Sequence, residues 1–145
     1  MEVKIKILRE GAHIPTYGSQ SAAGADLYAC LEESITIEPG KSVMIPTGIA
    51  CELPEGTVGL VCARSGMACK RGLAPANKVG VVDCDYRGEL MVCLHNHSDR
   101  AQTVENGERI AQYLVMPYYT ADFTISGELG DTARGAGGFG STGNK

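Results

Sequence analysis

The strongest constraint on this chain is its rhythm. Short runs of β-branched and apolar residues recur along its 145 residues, and no long stretch carries the 3.6-residue period of a helix. Val3, Ile5 and Ile7 alternate with lysines, the pattern of a half-buried strand. Further runs cover residues 35–37, 42–50, 58–62, 80–82, 90–94 and 110–116. Turn signals separate them: Glu38-Pro39-Gly40, Leu53-Pro54-Glu55-Gly56, Tyr86-Arg87-Gly88 and Glu105-Asn106-Gly107. This spacing predicts an all-β sandwich or barrel. At most one short helix is expected, over Ser65–Arg71, with Ser65 capping its start. The length suits a single domain with a real core, and there is neither an internal repeat nor a linker.

Composition narrows the function. The net charge is −4, so no overall basic field is present to hold a long nucleic-acid backbone, although a small anion needs only a local pocket of arginines and amides. No apolar run reaches the ~18 residues that span a bilayer. The opening Met-Glu-Val-Lys-Ile-Lys lacks a signal-peptide core, and the expectation is a cytoplasmic or nuclear protein. Six cysteines, at 30, 51, 62, 69, 84 and 93, include no C-x-x-C pair. They are expected to be small buried hydrophobes in a reducing compartment and not a zinc or dithiol site.

The tail departs from the rest. Residues 134–143 read Arg-Gly-Ala-Gly-Gly-Phe-Gly-Ser-Thr-Gly, which predicts a segment mobile without a partner. Closed over a ligand, it offers a charge, a stacking face, two hydroxyls and many backbone amides. Gly135 to Gly140 matches G-x-G-x-x-G, but no helix-forming sequence follows, so a dinucleotide fold is rejected. An induced wrap around phosphate is the alternative, since backbone amide nests bind anions.

Several local patterns carry chemistry, each with a purely structural counterpart. Ala63-Arg64-Ser65-Gly66 places an arginine, a hydroxyl and exposed amides where a strand ends and a helix opens, either a phosphate seat or an ordinary capped turn. In residues 81–88, Asp85 reads as a turn former. Asp83 ends the apolar run, where a positioned carboxylate can orient and deprotonate water, and Tyr86 can present its ring to a sugar. Gly24 to Ala29 surrounds Asp26 with small and apolar residues in a strand, so that carboxylate must be paired, with Arg64 or a metal as candidates. Residues 107–112 lead from a turn into a strand. His95-Asn96-His97 puts two histidines on one strand face, but no third ligand is near in sequence, and it reads as solvated loop. Asn96-His97-Ser98 is an idle glycosylation sequon.

Taken in order, these segments resemble the trimeric dUTP pyrophosphatase family over nearly the whole chain. All five family motifs are present: Ala23-Gly24-Ala25-Asp26-Leu27-Tyr28, Ala63-Arg64-Ser65-Gly66, residues 80–88, Gly107-Glu108-Arg109-Ile110-Ala111-Gln112 and residues 134–143. The resemblance implies a jelly-roll β fold over residues 1–133, a flexible C-terminal arm over 134–145, and a homotrimer whose active sites lie between subunits. It implies Mg²⁺-dependent hydrolysis of dUTP to dUMP and pyrophosphate. Asp83 becomes the general base for attack on the α-phosphorus. Tyr86 packs under the deoxyribose and excludes a 2′-hydroxyl. Asn77, Val81, Val82 and Met91 form the uracil pocket. Arg64, Ser65, Gly66 and Gln112 hold phosphate, and Asp26 meets Mg²⁺ through water. Arg134 reaches the terminal phosphate, Phe139 stacks on uracil, and Gly140, Ser141 and Thr142 wrap the phosphates. Ala63 stands where the family usually has proline, which removes no functional group. The rival readings are a dCTP deaminase, which shares the fold, and a trimeric nucleotide-binding module without activity.

Overall fold

The structure, a computed structural model, describes residues 1–138. Period-two burial builds its core. The strand Thr57–Cys62 (β6) buries every second residue from Thr57, and Glu89–Asn96 (β9) buries Leu90, Val92, Leu94 and Asn96 while turning Met91 outward. Around them stand Lys4–Ile7 (β1), Thr16–Tyr17 (β2), Ala25–Tyr28 (β3), Ile35–Ile37 (β4), Ser42–Glu52 (β5), Leu73–Pro75 (β7), Val79–Val82 (β8), Gln102–Val104 (β10) and Arg109–Pro117 (β11). One sheet has the order β1-β5-β9-β7, a second β2-β3-β11-β6-β8, and β10 pairs with β4. Every pairing is antiparallel. Leu27, Ile37, Ile45, Ile49, Leu73, Leu94, Val104 and Ile110 fill the interior. The all-β expectation holds.

The helix Ser65–Arg71 (α1) also lies where expected, but its start is not capped as expected. Arg64 is the N-cap, and no side chain caps the end, so Ser65 is the first helical residue and its hydroxyl is exposed. At the other end Gly72 takes a left-handed φ of 68° and its N–H closes on Ala68 O. A side chain at Gly72 would place Cβ 2.9 Å from Ser98 N.

Two further expectations need correction. His95 and Asn96 are not solvated loop, whereas His97 lies past the end of β9 and is exposed. His95 lies in β9 with Nδ1 2.8 Å from Ser42 Oγ, and Asn96 is fully buried. Asn96 Nδ2 donates to the carbonyls of Ile37 and Arg100, both at 2.8 Å, and its Oδ1 accepts from Ser98 N and Oγ. The side chain thus satisfies backbone groups that the ending strand leaves unpaired. All six cysteines are free thiols, but only Cys30 and Cys51 are buried, and Cys69 is exposed on α1. After β11 no regular element follows among the described residues, and Tyr119, Phe123, Ile125 and Leu129 are 90% exposed or more.

Candidate active site

β7 and β8 are the edge strands of the two large sheets, and the chain crosses from one to the other through Ala76, Asn77 and Lys78. The crossing is tight: Lys78 N donates to Pro75 O at 3.0 Å and Val79 N to Asn77 O at 2.8 Å. Lys78 adopts φ 67°, the single positive value at a non-glycine among the described residues. Where the sheets part, a cleft of about 340 Å³ opens. Asn77, Val81, Val82, Asp83, Tyr86 and Met91 all line it. The family resemblance implies roles for these residues in base binding, sugar binding and water activation, and one cavity brings all six together. Being at an edge, β8 leaves a row of backbone N–H and C=O groups without a strand partner among the described residues.

Packing fixes the cleft walls. A Cβ on Gly80 would sit 3.2 Å from Val61 Cβ and 3.3 Å from Asn77 Nδ2, so the bare glycine lets the Asn77 amide approach the strand. Asp83 lies just past β8, exposed, and its carbonyl accepts from Tyr86 N at 3.1 Å. Cys84 and Asp85 form the turn. Tyr86 Oη donates to Glu89 O at 3.1 Å. The Glu89 carboxylate accepts from Arg9 Nε and Nη2 and from Gly48 N, which ties the cleft floor to the N-terminal segment.

A second cluster lies at the other end of the same sheet's strands. Asp26 is 5% exposed, and its Oδ1 accepts from Arg64 Nε at 2.8 Å. Of the two candidate partners, Arg64 and a metal, Arg64 is the one in place. Arg109 Nη1 donates to Oδ2 at 3.2 Å. Sequence reasoning assigned Arg109 no role; the available signal was that a carboxylate this enclosed needs more than one cation. Gln112 stands opposite Asp26 on one side and Cys62 on the other. A Cβ on Gly24 would lie 3.2 Å from Gln112 Cβ, so glycine there lets the glutamine pack.

These residues do not fit a protein-held metal. No group of three or more His, Cys, Asp or Glu side chains is clustered among the described residues. Both Asp26 oxygens face guanidinium groups, whose charge repels a cation.

The two clusters sit at opposite ends of one strand pair. β6 and β8 run antiparallel with Cys62 opposite Val79 and Gly59 opposite Val82. Arg64 lies two residues beyond Cys62, whereas Asp83 lies one beyond Val82 and so opposite position 58, so about six residue rises, ~20 Å of strand, separate them. Arg134 joins neither cluster: it is exposed and its Nε donates to Gly137 O at 2.7 Å. Phe139, Gly140, Ser141 and Thr142 lie outside the described residues.

The family model described as dUTPase matches residues 10–143. A deoxyuridine 5′-triphosphate nucleotidohydrolase of Desulfitobacterium hafniense is 49% identical over 99% of this chain and 97% of its own length. Among solved structures, the dUTPase of Staphylococcus bacteriophage 80alpha with dUPNHPP superimposes with a TM-score of 0.89 at 28% identity, covering 98% of each chain. A mutant dUTPase from phage phi11 of S. aureus, in which a structural Mg(II) ion is coordinated, is 25% identical with a TM-score of 0.77, covering 88% of this chain and 98% of that one.

Proposed function

The chain belongs to the dUTPase family, with a jelly-roll fold and the activity of a dUTP diphosphatase, and from that premise we propose how its residues divide the work. The observation that carries the reading is the single cleft that gathers Asn77, Val81, Val82, Asp83, Tyr86 and Met91. Uracil lies along the free edge of β8, where backbone groups and the Asn77 amide imitate Watson–Crick pairing. Cytosine presents the wrong donors there and leaves buried polar groups unpaired. Met91 closes the pocket from β9. The Tyr86 ring lies under the deoxyribose and leaves no room for a 2′-hydroxyl. Asp83, at the end of β8, takes a proton from the water that attacks the α-phosphorus, and pyrophosphate leaves in line with the new P–O bond.

The geometry also bears on assembly. A nucleotide with its base on β8 and its sugar on Tyr86 sends its phosphates past Asp83, away from this chain's own Arg64. The phosphate-holding residues Arg64, Ser65, Gly66 and Gln112 therefore serve a nucleotide bound to a neighbouring copy. The exposed Tyr119, Phe123, Ile125 and Leu129 need a surface to cover them, which supports a strap that leaves its own subunit. Together these support a homotrimer with sites between subunits, in which Arg134, Phe139, Gly140, Ser141 and Thr142 of the arm close over a neighbour's nucleotide. Six free thiols suit a reducing compartment, the cytoplasm or nucleus. The magnesium expectation rests on the substrate side, since Mg²⁺ keeps several waters and rides on substrate phosphates.

The test is pyrophosphate release from dUTP, dTTP, dCTP and UTP, each with magnesium and with chelator. Release from dUTP alone, lost on chelation, is expected. Release from UTP would remove the Tyr86 argument, and ammonia release from dCTP would favour the deaminase.

A further inference from the structure

The Asp26 carboxylate is nearly sealed from solvent, yet it carries two cations, one on each oxygen. The Arg64 and Arg109 side chains are 25% and 50% exposed. Only the Nε of Arg64 and one Nη of Arg109 are committed to Asp26. A guanidinium has five N–H donors, so both retain donors for an anion. One buried negative charge between two positive ones leaves the cluster at net +1. A pair of planar forks held at a fixed spacing suits two adjacent phosphate groups.

We infer that Asp26 is a positioning residue for this arginine pair and not a metal contact, and that its charge limits how firmly the pair holds pyrophosphate. This rests on the proposed reaction only in naming the anion. Fixing both guanidiniums before the anion arrives removes the ordering they would otherwise need. Unopposed, two arginines would hold a small, highly charged product tightly, and slow product release limits turnover in many hydrolytic cycles. The carboxylate cancels one of the two charges while keeping both donors in place.

The experiment is calorimetric titration of inorganic pyrophosphate in chelator, with wild type, Asp26→Asn, Arg109→Gln and the double variant. Thermal melting and sedimentation of each protein establish that fold and assembly are intact. Asp26→Asn is expected to bind pyrophosphate about tenfold more tightly, as removal of one opposing charge from a partly exposed cluster requires. Arg109→Gln is expected to bind it about tenfold more weakly than wild type, and the double variant to lose most of the gain. In steady-state assays with dUTP, Asp26→Asn should show stronger inhibition by added pyrophosphate. A metal-contact role predicts no change in chelator, and unchanged or weaker binding by Asp26→Asn overturns the inference. Because misfolding does not tighten a binding constant, the sign of the effect separates positioning from a purely structural role. Should Asp26→Asn fail to fold, Arg109→Gln decides: unchanged pyrophosphate binding in that half-exposed variant also overturns it. A wild type that binds pyrophosphate but does not hydrolyse dUTP would sink the proposed reaction and leave this inference standing.

Discussion

Gly88→Ala offers a direct test of how the sugar is selected. Gly88 has no positive φ, so alanine is allowed there by the backbone, and the consequence is purely steric. A methyl on Gly88 would lie 2.5 Å from Tyr86 Cζ and 2.9 Å from Cε2. Tyr86 Oη is nearer still, and an ordinary contact needs about 3.4 Å, so the side chain must retreat by at least 3.4 − 2.5, about 0.9 Å. Tyr86 is half exposed, which makes that retreat cheap for the fold. It does break the bond from Tyr86 Oη to Glu89 O, a net loss of about 0.5–1.5 kcal/mol and a fall in Tm of a few degrees. The functional cost is larger. A displacement near 1 Å at a positioning group is worth up to about 100-fold in rate, and on the proposed reading it opens space for a 2′-hydroxyl. We expect kcat/KM for dUTP to fall about tenfold and the preference for dUTP over UTP to narrow by about tenfold. The assay is pyrophosphate release from both nucleotides, alongside a melting curve. A variant with an unchanged dUTP-to-UTP ratio would refute the idea that the position of this ring excludes ribose.

The remaining expectations concern other parts of the molecule. Asp83→Asn should lower kcat by about 10²–10⁴-fold while dUTP still binds by calorimetry, as loss of a general base requires; near-normal turnover removes Asp83 from that role. Deleting residues 134–145 should cut turnover severely and leave a trimer on sedimentation; a monomer would place assembly contacts in the arm. Lys78→Gly, which relieves the left-handed φ of 67°, should keep kcat/KM within about twofold, whereas Lys78→Val should cost about 1–2 kcal/mol and weaken dUTP binding through Asn77. Burial beside Cys51 pushes the Tyr113 phenol far above its ordinary range, so its stabilisation is complete below the unfolded value and is lost as pH rises. Stability should therefore fall by about 1.4 kcal/mol per pH unit above about pH 10 in wild type, and less steeply in Tyr113→Phe, read by melting curves from pH 9 to about pH 11.5.

Much of the cleft was legible because its chemistry sits on strand ends with strong local patterns. The run of apolar residues ending at Asp83 identifies both β8 and the residue that projects beyond it. The pairing of Asp26 was legible by elimination, since a carboxylate among Ala25, Leu27 and Ala29 cannot stand alone. What was not legible depends on contacts distant in sequence. β2, β7 and β10 are two or three residues long and lack the alternating pair of isoleucines that marks the equally short β4, and they exist because β3, β9 and β4 offer them partners. Asn96 reads as loop polarity until Ile37 O and Arg100 O are seen beside it. Arg109 lies 83 positions from Asp26, and only the pairing of β11 with β3 brings them together. The failed cap at Ser65 is a different error: a serine before a short helical run is a common cap, but here the chain enters the helix one residue earlier, through Arg64.

The arrangement of the two clusters explains why a sheet edge is a suitable place to read a base. A strand inside a sheet spends both rows of its backbone groups on neighbours, whereas β8 spends one row on β6 and leaves the other unpaired among the described residues. Exposed edges invite unwanted pairing with other chains. Here β8 is only four residues long and ends at a tight turn bearing Asp83, Asp85 and Arg87, which keeps the edge short and charged. The crossing through Lys78 is what holds that edge apart from β7, because a left-handed residue turns the chain out of one sheet and into the other within three positions. On the proposed reading, base recognition is thereby built from backbone that a single chain fixes by itself. On the same reading, phosphate recognition is built from arginines at the far end of the same strands, which that chain's own nucleotide would point away from. On that reading, discrimination among bases would depend on the fold of one subunit, and hydrolysis on the meeting of several.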